Sequence, residues 1–185
     1  MRWRDGRDIR VLGSGNSGAR DAGRLLGRGA FAIVSALDAA KGLLVVLTER
    51  PWAPDVAPLC AVAATIGHVF PAQLGWRGGK GVATSIGALA TLDFTVLAVI
   101  AAAFVVARPL LGGTVAAGMV AFVGGAVFSL VFWPPELGLA TLTLAALLSF
   151  THRSSARRCE VADRAHRRKG EHDRDAAFQA CRRSR

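Results

Sequence analysis

Residues 110–132 read LLGGTVAAGMVAFVGGAVFSLVF, an unbroken run without a single charge. Its length matches the ~20 residues a bilayer-spanning helix needs. It also lacks the polar face at helical period that a helix of a soluble bundle would carry. Its Ala and Gly suit close helix-to-helix approach in lipid, where small residues make the interface. Apolar stretches of the same kind lie on both sides, at 30–48, 56–74, 82–107 and 137–150. The stretch 82–107 is interrupted by Asp93. The expected fold is therefore all-α, a polytopic membrane helix bundle with about five or six membrane segments.

Charge is sorted to the ends of this apolar block. The chain has 185 residues and a net charge of +10, with a pI near 11.3. Residues 1–28 hold seven Arg against three Asp, and residues 151–185 hold eleven Lys or Arg against five acids. The stretch 29–150 is balanced, five against five. Basic ends on an apolar core follow the positive-inside bias, whereas a nucleic-acid binder would interleave basic and aromatic residues on one face. No nucleic-acid partner is expected. Residues 1–150 are read as one membrane domain and 151–185 as a basic, disordered cytoplasmic tail. The Arg-rich start, the Arg77/Lys80 loop and the tail should share the cytoplasmic side, with 49–55 and 133–136 opposite. That ordering requires the 82–107 run to break near Asp93 into two short passes. Cys60, Cys159 and Cys181 form no metal-ligand spacing and no disulfide framework, so no metal is expected.

Two glycine-rich basic loops carry the chemistry. The first, within 1–29, contains Gly13-Ser14-Gly15-Asn16-Ser17-Gly18-Ala19-Arg20 and continues to Arg24. It matches GxGxxG, but a dinucleotide fingerprint needs a βαβ unit around it, and none follows. Its glycines still permit close backbone approach and an anion-binding nest, and Ser14 and Asn16 add side-chain donors. The second loop, within 67–85, runs from Gly67-His68-Val69-Phe70-Pro71 to Gly78-Gly79-Lys80-Gly81-Val82-Ala83-Thr84-Ser85. Lys80 is followed by Gly, so it is not a Walker A loop. It is nonetheless a basic loop leading into a helix N-terminus, which favours phosphate. Asp38 and Lys41 interrupt the first apolar stretch one turn apart, as an ion pair or as an inward extension of the polar site.

Taken together, these motifs resemble the bacterial acyl-phosphate:glycerol-3-phosphate acyltransferases, the PlsY family. Gly13 to Arg24 is similar to the first family motif and Gly67 to Thr84 to the second, with Asp38 and Lys41 between them. The likeness covers 6–90 motif by motif and 91–150 by hydropathy. It implies an integral membrane enzyme that moves a fatty acyl group from acyl phosphate to the sn-1 hydroxyl of glycerol 3-phosphate, giving lysophosphatidic acid without a cofactor. It places Ser14, Gly15, Arg24, Gly78, Gly79, Lys80 and Thr84 on the phosphorylated substrate, with Lys41, Thr114 and His152 as further binding residues. Lys80 and Asn16 would serve catalysis, Asn16 toward the donor phosphate or the developing oxyanion. His68, a histidine of suitable reference pKa, is the expected general base. A monomer in the bacterial inner membrane is implied, its active site facing the cytoplasm. The span that the family carries ahead of its first motif would lie before Met1, so the chain either continues upstream or lacks it. The third family motif is matched only by His152-Arg153-Ser154-Ser155. Two other readings remain, a non-catalytic remnant of the family and a transporter of a phosphorylated metabolite.

Overall fold

The computed structural model describes residues 18–76 and 78–169, with side chains except at 24, 25 and 154–169. Among these residues all regular structure is helical. The order is α1 (Ala19–Leu26), α2 (Arg28–Glu49), α3 (Ala57–Val69), a 3-10 turn (Ala72–Leu74), α4 (Val82–Leu92), α5 (Phe94–Leu111), α6 (Thr114–Phe132) and α7 (Pro135–Lys169). Four segments are long and apolar enough to cross a membrane: Arg28–Glu49, Ala57–Leu74, Phe94–Leu111 and Thr114–Phe132. With the shorter apolar α4 and the apolar 137–150 half of α7, the apolar helical segments number six among the described residues, against the five or six expected.

The break at Asp93 has a visible cause. Asp93 is extended and caps α5, its Oδ1 accepting the Val96 N–H at 3.0 Å. Its Oδ2 accepts the Trp133 indole N–H at 2.7 Å. Burial pushes the Asp93 carboxyl up, but the bonds from Val96, Trp133 and Thr95 overrule it and hold it below its ordinary value. An acid that would end a helix in lipid is thus satisfied three ways at once.

The bundle is inverted relative to a water-soluble one. Large apolar side chains face outward, including Ile33, Leu37, Leu44 and Leu47 along one stripe of α2. The interior is built from Ala57, Ala61, Ala88, Ala117 and Ala121 together with Thr65, Ser85 and Thr141. Several buried hydroxyls are satisfied within their own helix: Thr65 donates to the Ala61 carbonyl at 2.9 Å and Thr141 to that of Leu137 at 2.8 Å. Small residues bring the helices close. A Cβ on Gly42 would strike the Thr84 carbonyl oxygen, and one on Gly87 that of Ala39, so α2 and α4 meet backbone to backbone.

Two ends emerge. Arg50 donates from Nη1 to the Thr91 carbonyl, and Asp93 binds Trp133, so the 49–55, 92–94 and 133–134 connections gather at one end. Gly18, Lys80, Thr114 and His152 line one cavity at the other. This is the partition of loops that the charge pattern predicts. α3 and α4 are about 20 and 16 Å long, against about 33 Å for α2. One expectation is corrected. α7 continues to Lys169, so residues 151–169 are helical rather than disordered. Arg, Lys, Glu and Ala are good helix formers, and a helix already nucleated in the bundle extends easily into such a run.

Candidate active site

The second loop is held from three directions. From α3, the His68 ring lies against Gly79, where a Cβ would collide with Nε2, and a Cβ on Gly78 would strike the His68 carbonyl oxygen. Gly78 also donates its N–H to the Val69 carbonyl at 3.1 Å. From α1, Gly18 abuts the loop: its Cβ position is 3.4 Å from Gly79 Cα and 3.9 Å from Lys80 N. From α7, Thr151 donates its hydroxyl to the Lys80 carbonyl at 3.1 Å. Gly81 then adopts φ +87 to start α4, in the left-handed region that only glycine enters freely. Gly18 of the first motif therefore touches Gly79 of the second.

Behind His68 stands an acid. His68 Nδ1 is 3.5 Å from Asp38 Oδ1, and Lys41 Nζ donates to the same oxygen at 3.2 Å. Asp38 is 6% exposed. An acid so enclosed within an apolar helix needs partners, and here it has one on either side.

A cavity of about 710 Å³ opens among these elements. Its polar wall carries Arg20, Asp21, Asp38, His68, Lys80 and His152, with Thr114 at the start of α6. Its apolar wall includes Ile86 of α4, Leu97 and Phe104 of α5, Met119 and Phe122 of α6, and Leu148 of α7. Phe122 lies eight residues beyond Thr114 along α6, about 12 Å down the axis, so the cavity runs from the polar end toward the bundle middle. The polar end carries two cations, Lys80 and Arg20, beside two carboxylates, Asp21 and Asp38. Burial, then Lys80 and Arg20, lower His152 to about 4, which leaves its imidazole neutral at neutral pH. The buried His152 Nδ1 has no hydrogen-bond partner among the described residues.

Of the residues expected from the sequence, His68, Lys80, Thr114 and His152 line the cavity, and Gly78 and Gly79 carry Lys80 to it. Thr84 and Lys41 are not in its wall. Thr84 is fully buried where α4 meets α2, and the Lys41 side chain is largely exposed beside Asp38. Ser14, Gly15 and Asn16 lie outside the described residues, as does the Arg24 side chain. Arg20, read from the sequence as sharing a helical face with Arg24 four residues on, belongs to the wall as well. The acyl-sized apolar wall had no sequence signal, because its residues come from four helices whose mutual rotation only the packed bundle sets.

Known proteins resemble this chain along most of its length. The family model described as glycerol-3-phosphate acyltransferase matches residues 1–160. Glycerol-3-phosphate acyltransferase 1 of Deinococcus radiodurans is 42% identical over 160 residues, covering 84% of this chain and 80% of its own. The glycerol-3-phosphate acyltransferase of Myxococcus xanthus is 41% identical over 170 residues, covering 86% and 87%. Among solved structures, PlsY (YgiH), an integral membrane glycerol 3-phosphate acyltransferase, superimposes in its glycerol 3-phosphate form with a TM-score of 0.73. The identity is 26%, over 85% of this chain and 81% of that one. Its lysophosphatidic acid form gives 0.69 at 25% identity, over 80% and 78%.

Proposed function

This chain belongs to the glycerol-3-phosphate acyltransferase family, and from that premise we infer that it is an integral membrane acyltransferase converting glycerol 3-phosphate to lysophosphatidic acid. The observation that carries the reading is the single cavity with a cationic end and an apolar wall. A phosphorylated head and a fatty chain are the two parts of that product, and one cavity offers both environments.

The acyl donor we propose is acyl phosphate. Lys80 supplies a point charge and Arg20 a planar fork for phosphate oxygens, with Thr114 and His152 as further hydrogen-bonding groups. The acyl chain lies along Leu97, Phe104 and Phe122, out of water. The glycerol hydroxyl oxygen attacks the acyl carbonyl carbon, the bond from that carbon to the phosphate oxygen breaks, and the phosphate takes the hydroxyl proton as it leaves as hydrogen phosphate. Charge and atoms balance with no covalent acyl-enzyme. The donor is already activated, so the protein's contribution is orientation and neutralisation of developing charge. The site end carries Lys80, Arg20 and Arg108, and the helix leading to the Arg-rich tail leaves from it; by the positive-inside bias it faces the cytoplasm of a bacterial inner membrane.

Detergent-purified protein given acyl phosphate and labelled glycerol 3-phosphate should form lysophosphatidate. Lys80→Ala should lower kcat/KM by about 10²–10³-fold, the scale of losing one preorganised charge-stabilising donor. Substrate binding without product in the unaltered protein would point to a non-catalytic remnant.

A further inference from the structure

We propose that Asp38 and His68 form a positioning strut that sets the Gly78-Gly79-Lys80 loop. His68 is then a support for Lys80 and does not act as a proton acceptor. The inference rests on the reading that Lys80 binds the phosphate of glycerol 3-phosphate.

The His68 ring sits between Asp38 and the loop. Nδ1 is 3.5 Å from Asp38 Oδ1, and Nε2 faces the Gly79 backbone so closely that no Cβ fits there. A general base needs a nitrogen aimed at the substrate hydroxyl, whereas Nε2 is turned onto the Gly79 backbone. The ring instead fills the distance between α2 and the loop. Asp38 is the anchor: it is buried, on a helix packed directly against α4 and α3, and tied to Lys41 on the same helix. A carboxylate beside a histidine nitrogen fixes the orientation of the ring. With the ring fixed, the Gly79 backbone has one seat. Lys80 follows immediately, and Thr151 holds its carbonyl from the opposite side. The charged groups facing His68 are Asp38 and Lys41 from α2, with Lys80 across the same cavity wall. Exchange of Asp38 for Asn would remove the anchor while keeping its size.

The test compares Asp38→Asn, His68→Ala and their double variant in steady-state acyl transfer, with thermal melting of each. The strut predicts a KM for glycerol 3-phosphate raised about tenfold in each single variant, the worth of one hydrogen bond to a charged group. Because the Asp38–His68 approach is a 3.5 Å contact, the strut also predicts kcat within about threefold of the unaltered protein and a double variant no worse than His68→Ala. Gly79→Ala reaches the same contact from the loop side and should give the same KM defect, without making His68→Ala worse when the two are combined. A collapse of kcat in His68→Ala with KM unchanged would overturn the proposal in favour of a general base. Fully additive losses in Asp38→Asn/His68→Ala would overturn it as well. If Lys80→Ala itself binds and turns over substrate normally, the underlying reading of the site fails instead.

Discussion

His152 shows how far the site's charge reaches. It lies two residues past the apolar 137–150 stretch, and burial together with Lys80 and Arg20 lowers it to about 4. In the empty site its imidazole is neutral, with a buried Nδ1 lacking a partner among the described residues. A phosphate dianion placed among Lys80, Arg20 and His152 would offset that positive field, so binding should raise the His152 pKa and draw a proton onto the ring. Ring-nitrogen NMR of labelled protein checks this. We expect a neutral His152 above about pH 5 without substrate and an upward shift of its titration on adding glycerol 3-phosphate. A titration near the ordinary 6.5 in the empty protein would contradict the described environment. The identity of His152 as a site residue was legible from the motif resemblance. Its depressed basicity was not, because that depends on cations brought from α1 and from the second loop.

At the scale of elements, the contact of α2 with α4 decides whether the loops can meet. Gly42 and Gly87 face backbone carbonyls across it, and neither neighbour can move aside as a flexible side chain would. Gly42→Ala should therefore force the helices apart and cost about 1–3 kcal/mol, seen as a lower melting temperature in detergent. Gly67→Ala in α3 is the matched control. Its Cβ would meet open space, and the helix-favouring exchange should leave the melting temperature unchanged or slightly raised. If both variants melt alike, the close packing of α2 on α4 is not what holds this part of the bundle. Hydropathy alone revealed most of these helices. The split of 82–107 at Asp93 was legible because the positive-inside ordering of the loops requires a break there; the Trp133 indole that satisfies the acid, forty residues on, was not. The end of the last helix was misjudged for a related reason. Loss of apolar period beyond residue 150 marks where the membrane stops, while an α-helix of Arg, Ala and Glu continues without it.

The whole molecule joins two solvents. A glycine-rich loop carrying Lys80 joins α3 to α4, and irregular backbone in a membrane bundle is tolerated where it lines a cavity. From that loop the cavity continues between α5, α6 and α7 over apolar side chains. The sequence announced the cationic half, because glycine and lysine spacing is local. The apolar half arises only when four helices pack, so it could not be read from any one of them. The central claim is that one cavity holds the phosphorylated head and the acyl chain together, and Gly118 tests it most directly. Gly118 lines the cavity on α6, and a side chain there would enter open space without striking its neighbours. The decisive measurement is the rate of lysophosphatidate formation by Gly118→Leu with medium-chain and long-chain acyl phosphates. The account predicts a selective loss with the long chain, the medium-chain rate and the KM for glycerol 3-phosphate staying near those of the unaltered protein. Equal rates with both donors, or an equal loss with both, would contradict it.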